Sequence, residues 1–268
     1  MKGRNKSTDI TIHVPLGSNS LLEKALANIN NSKEVRTLWK VIDVNAIDRL
    51  GMTDHGPVHF QIVSNIALRL ARVLVKNKVK MSVVEDFELS NNHAELIILL
   101  ASLFHDLGMS IEREGHEGFS LFLANNILRE ILDFLPVEER TIVISETLHA
   151  IISHRSGGKP RTIEAGIVRV ADALDMSEGR SRIPYEEGQV DIHSLSHAAI
   201  DKVKIKEGRK KPIQINILMN NSSGLFQVDE LLKKKIIGSK IEKYVDVRAY
   251  VARKKEKKLI KEFTIKGL

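Results

Sequence analysis

His105 and Asp106 stand side by side at the end of an apolar run in which Leu96, Ile97, Leu99, Leu100, Leu103 and Phe104 keep helical spacing. Side chains at that point face a core. Burying an imidazole with a carboxylate costs desolvation free energy, and a shared divalent cation offsets it. The chain must therefore fold so that more ligands reach this pair. Two segments can supply them: Thr53-Asp54-His55-Gly56-Pro57-Val58-His59 upstream and Ala171-Asp172-Ala173-Leu174-Asp175 far downstream. The chain has no cysteine, so any transition-metal site must be made of imidazole and carboxylate.

The first 184 residues read as helical. Gly56-Pro57 suits a helix start, because proline in the first turn gives up no needed donor. From His59 onward Ile62, Val63, Ile66, Leu70, Val73 and Leu74 recur at three- and four-residue steps, so His59 faces inward with them. A second helix begins after a Ser90-Asn91 cap and runs to His105-Asp106, with Gly108 ending it in a left-handed conformation. Neighbours on a helix lie about 100° apart, which still lets both side chains reach one ion. A third helix follows His116, a fourth spans residues 138–153, and a fifth spans 163–176. Residues 1–40 form an N-terminal extension of open role, with Ile10-Thr11-Ile12-His13-Val14 as a short strand.

In this order and in these contexts, His59, His105, Asp106 and Asp172 resemble the HD-domain metal-dependent phosphohydrolases, whose pattern is a histidine, a His-Asp pair and a distant aspartate on a later helix. The matching stretches lie within residues 54–175. They are His59-Phe60-Gln61-Ile62-Val63, Phe104-His105-Asp106-Leu107-Gly108 and Val168-Arg169-Val170-Ala171-Asp172-Ala173-Leu174-Asp175. The resemblance implies a helical domain that hydrolyses a phosphoester, a nucleotide above all, with metal-activated water.

Members of the family with two ions add histidines between the pair and the last aspartate, and His116 and His154 are this chain's candidates. In the two-ion version Asp106 bridges, and His59, His105, His116, His154 and Asp172 complete the shells; the four motif residues alone could hold one ion. His149 competes with His154. Five positions apart on a helix they diverge by about 140°, and His154 continues the face of Ile144, Thr147 and Ile151. Such ligands suit Mn, Fe, Co, Ni, Zn or Mg. Asp175, one turn past Asp172, is a candidate acceptor for a ligand imidazole N–H. Arg155 and Lys159 are expected to act in catalysis beside His105 and Asp106. Together with Arg161, Arg169 and His55 they are also the candidate substrate contacts, the first three in a loop holding Gly157-Gly158.

The net charge of +7 belongs to the C-terminal part: from Tyr185 onward 19 Lys and Arg oppose 11 Asp and Glu, which leaves 22 against 23 before it. The loop from Ser177 to Pro184 separates two styles, so residues 185–268 are expected to form a second, basic domain. There the apolar period becomes two over 200–206, 213–219, 245–251 and 259–265, while Leu225, Val228, Leu231, Leu232, Lys235 and Ile236 form an amphipathic helix closed by Gly238. The fold class is α+β, a helical domain followed by a small antiparallel sheet in the order strand, strand, helix, strand, strand.

Three lysine clusters, Gly208-Arg209-Lys210-Lys211, Lys233-Lys234-Lys235 and Arg253-Lys254-Lys255-Glu256-Lys257-Lys258, could join as a surface for nucleic acid. His93, His193 and His197 read as solvated. The rival to a hydrolase is a nucleic-acid-binding or oligomerising protein whose metal site is structural. Neither an apolar leader nor a run of the roughly 18–20 apolar residues that span a bilayer stands out. The expectation is a cytoplasmic protein without a membrane partner, with a phosphorylated small molecule as ligand and long apolar helices that leave room for a homodimer.

Overall fold

The computed structural model describes residues 11–52, 55–155, 157–176, 196 and 199–251, together with the backbone of 262–265. The loop expected to divide the domains, His193, His197 and the cluster from Arg253 to Lys258 lie outside the described residues.

Among the described residues eight α-helices build the N-terminal part: α1 Ser20–Asn31, α2 Lys33–Asp43, α3 Pro57–Lys76, α4 Ser82–Phe87, α5 Asn91–Phe104, α6 His116–Ile131, α7 Val137–Ser153 and α8 Ile163–Leu174. Helix α5 is apolar all round and sits at the centre, its residues from Leu96 to Phe104 all buried, with α1, α3, α7 and α8 packed about it. Its N-terminus carries the expected cap, in which Ser90 and His93 satisfy each other's backbone groups. Helix α3 is long and apolar enough to cross a bilayer, but it behaves as a core helix, burying Phe60, Val63, Leu70 and Leu74 against α5 and α8.

Residues 11–40 are part of this bundle. The side chain of Asn19 accepts from the N–H groups of Leu21 and Leu22 to start α1, and the Ser32 hydroxyl accepts from Val35 N–H to start α2. Both helices bury a stripe at helical spacing: Leu22, Ala25, Leu26 and Ile29, then Val35, Trp39 and Ile42. The short strand expected over 10–14 is absent from the described residues 11–14. The Asn30 amide takes the place of a strand partner, accepting from Ile12 N–H at 2.9 Å and donating to its carbonyl at 3.0 Å.

The C-terminal part is a four-stranded sheet in the order β1 Ile200–Glu207, β2 Ile213–Met219, β3 Val245–Val251, β4 Glu262–Ile265. The α+β class holds, with one correction to the sheet. Its outer pairs are antiparallel as expected, but β2 and β3 run parallel from Ile213 opposite Val245 to Met219 opposite Val251. Alternation along a strand reports which face is buried and carries no sign of direction. Direction is set by the helical connector, π-wound over Gln227–Lys233 and α-helical over Lys234–Ile236, which returns the chain to the end of the sheet where β2 began. One face of the sheet is buried through Ile213, Ile215, Ile217, Val245, Val247 and Ala249; the connector packs on α8, β2 touches α3, and the apolar residues of both parts form one connected core.

Candidate metal centre

The candidate ligands gather where helix ends converge. His59 lies in the first turn of α3, His105 and Asp106 just past α5, His116 at the first position of α6, His154 just past α7, and Asp172 in the last turn of α8. Helix α5 stops at Phe104, and Asp106 leaves helical geometry at φ −104°, ψ 14°, which lets two adjacent side chains serve one centre. Gly108 does not take the left-handed conformation expected of it. It is glycine because α6 crosses so closely that a Cβ there would lie 2.0 Å from the His116 carbonyl oxygen. That close approach brings His116 to Asp106.

The Asp106 carboxylate divides the site in two. Its Oδ1 lies 3.0 Å from His116 Nε2 and 3.5 Å from His154 Nε2, while its Oδ2 lies 3.5 Å from His105 Nε2 and 3.9 Å from His59 Nε2. Asp172 joins the second group, its Oδ1 being 3.6 Å from His59 Nε2 and 3.8 Å from His105 Nε2. Around a cation with bonds of about 2.1 Å, neighbouring ligand atoms stand roughly 3.0–3.4 Å apart, so these separations suit a cation in each half after small adjustments.

The far side of each ring fixes its orientation. His59 Nδ1 lies 2.7 Å from Asp175 Oδ2, His105 Nδ1 3.0 Å from the Ser102 carbonyl, His154 Nδ1 2.6 Å from the Ile151 carbonyl and His116 Nδ1 2.9 Å from the Arg113 carbonyl. Carboxylates and carbonyls only accept, so Nδ1 of His59 and of His105 must donate, and each neutral ring then turns a bare Nε2 lone pair inward. Those two Nε2 atoms face each other at 3.2 Å. Two lone pairs at that distance repel, and a cation between them removes the repulsion.

Titration places a neutral His105 beside charged carboxylates. Burial lowers the His105 pKa to about 3 against the pull of Asp106 and Asp172, keeping the ring neutral. Burial alone would raise Asp106, but the imidazoles around it, His105 first and then the hydrogen-bonding His116 and His154, hold it well below the usual carboxylate range. Asp172 is likewise lowered, by Lys235 first and then by the three nearest histidines, against its own burial. Burial lowers His116 too, yet its hydrogen bond and charge interaction with Asp106 prevail and its pKa is raised.

The comparisons with known proteins agree with this geometry. A family model described as HD domain matches residues 58–177, the segment that holds all six candidate ligands. A protein of Methanocaldococcus jannaschii, described as Uncharacterized protein MJ1020, is 43% identical over 235 residues, covering 87% of this chain and 90% of its own length. The chain belongs to the HD-domain superfamily of metal-dependent phosphohydrolases. No solved structure matches this HD-domain protein.

The other candidate residues divide sharply. His55 is buried with its ring 5.8 Å from that of His59, at the edge of the centre. Arg155, Lys159 and Arg161 are exposed on the loop that follows His154, and no ion pair engages them among the described residues. Arg169 is a correction. It does not face the centre as a substrate contact: its guanidinium is buried and donates to the carbonyls of Ser153, Arg155, Gly158, Lys234 and Lys235 at 2.7–3.2 Å. It lies one turn before Asp172, but on the side of α8 where the His154 loop and the connector meet. His149 also turns away from the six gathered ligands, its Nε2 accepting from the Arg161 N–H at 3.0 Å, and burial lowers its pKa with help from Arg161.

Sequence reasoning missed Lys235. From the C-terminal connector its ammonium donates to Asp172 Oδ2 at 3.1 Å and to the carbonyl of His154. The signal was a lysine on the apolar stripe of an amphipathic helix, where a charge needs a buried partner.

Proposed function

We propose that this HD-domain protein hydrolyses a phosphoester, with a nucleotide as substrate. One observation carries the reading: the two oxygens of a single buried carboxylate, Asp106, face two separate groups of imidazoles. Divalent cations held there supply a coordinated water of lowered pKa and polarise a phosphoryl oxygen.

The chain's own residues do the rest. Asp175 and the backbone carbonyls beneath the rings fix every imidazole before substrate arrives, so little reorganisation is needed at the moment of reaction. His105 and Asp106, buried and neutral or anionic as required, hold the centre together. Lys235 balances the Asp172 carboxylate at its outer oxygen. Arg155, Lys159 and Arg161 offer cations at the mouth, where a substrate phosphate would exchange water for charge-assisted hydrogen bonds.

The test is metal analysis of the purified protein followed by phosphate release across a panel of nucleotides. The expected result is turnover that needs a divalent cation, and that falls by about 10³-fold or more with loss of bound metal in His105→Ala and Asp106→Ala. Hydrolysis that survives chelation or either substitution overturns the proposal, as does a metal-loaded protein inert to the whole panel.

A further inference from the structure

The solvent-facing side of the C-terminal sheet carries a pattern that the hydrolase reading leaves unused. Lys202, Lys204 and Lys206 alternate along β1, so all three stand on that face at steps of about 6.7 Å. All three are exposed, and none has an ion-pair partner among the described residues. Holding like charges in a row is unfavourable unless something anionic lies along them.

The rows continue inward through the register. Lys204 is opposite Asn216, which is opposite Arg248, and Lys202 is opposite Leu218, which is opposite Tyr250. Tyr250 is 39% exposed, so its ring offers a face to solvent in the same row as Lys202. Beside them opens a cleft of about 480 Å³ lined by Lys206, Arg209, Lys210, Lys211, Asn216 and Arg248, with Glu207 and Asp246 as its acids. Both acids are already engaged, Glu207 with Lys76 at 2.6 Å and Asp246 with Arg248 at 3.4 Å. The Asn216 Nδ2 group is buried without a hydrogen-bond partner, so a donor waits in the floor of this cleft.

Lysines on an edge strand also serve to prevent sheet-to-sheet pairing. That role is complete at β1. It requires neither an arginine and an exposed tyrosine two strands further in nor an unsatisfied amide between them.

We infer that this open sheet face binds single-stranded nucleic acid, its phosphates following the lysines of β1 and a base stacking on Tyr250. The spacing of alternate residues on a strand is comparable with that of successive phosphates in an extended chain, a tyrosine face accepts any base, and Asn216 can donate to a sugar or base oxygen. The site is separate from the metal centre and stands whether or not the hydrolase proposal does.

Fluorescence anisotropy of the full-length protein with labelled twelve-nucleotide oligouridylate and oligothymidylate tests it. The wild type is expected to bind one or both, more weakly as salt rises, and to prefer them to a duplex of equal length. Replacing Lys202, Lys204 and Lys206 together by Glu is expected to weaken binding at least tenfold and to lower the salt slope by about 2. The triple Gln variant gives the same direction should the reversal disturb folding. Tyr250→Ala is expected to weaken binding about fivefold or more and leave the slope alone, while Asp106→Ala binds as the wild type does. Absence of binding at low salt, unchanged affinity in the triple Gln variant, or tighter binding of the duplex overturns the inference.

Discussion

The two ends of this molecule solve opposite charge problems. At the converging helix ends, bare nitrogen lone pairs are gathered with a buried Asp106 and a half-buried Asp172 and few cations among them, whereas on the open sheet face ammonium groups stand in water with few anions. In the buried arrangement every ring is held from behind, which fixes the direction of its inward nitrogen. The exposed one is tolerant and salt-sensitive, since water competes for each contact. The same excess of one sign therefore implies a compact ion in one place and an extended polyanion in the other.

The sharpest way to break this contrast is at the joint between the two ends. Arg169→Met should cost about 3 kcal/mol of stability, because several buried carbonyls lose a charged donor at once. Thermal unfolding measures it. If Arg169 instead contacted substrate, KM would rise with little change in Tm. A smaller effect belongs to Asp175→Asn, which removes the carboxylate behind His59. Metal affinity should fall 10–100-fold by competition with a chelator, with Tm of the metal-free protein nearly unchanged.

Smallest is the response to acid. In metal-free protein the His105 pKa lies at about 3 when folded and near 6.5 when unfolded, so the unfolded chain binds the extra proton between those values. Stability is then lost as pH falls from about 6.5 toward 3, at up to about 1.4 kcal/mol per pH unit. The lowered Asp106 and Asp172 add to the loss below their ordinary range, while the raised His116 adds stability as pH falls toward about 6.5 and changes nothing below it. Denaturant titrations across that range check the slope, and saturating metal should add most stability at the upper end and so steepen it, because metal-bound ligands take up no proton.

How much could be read from the chain alone follows from locality. His59, His105, Asp106 and Asp172 were legible because each carries its own signal, a polar residue inside an apolar period, and His116 and His154 because they begin or end helices with clear faces. Asp175 was legible as a neighbour one turn from Asp172. Helices α1 and α2 had the same kind of stripe and good caps, at Asn19 and Ser32, but no motif to draw attention to them. Long-range facts were not legible. That Arg169 clamps two loops, that Lys235 reaches Asp172, and that β2 and β3 run parallel all depend on where the connector lies, and no spacing within a segment encodes that.

The reach of Lys235 to Asp172 means that the two halves cannot be exchanged freely between proteins. A helical half severed from its sheet would keep every imidazole yet leave one aspartate without its balancing ammonium, and a sheet grafted from elsewhere would have to bring a lysine at that one register.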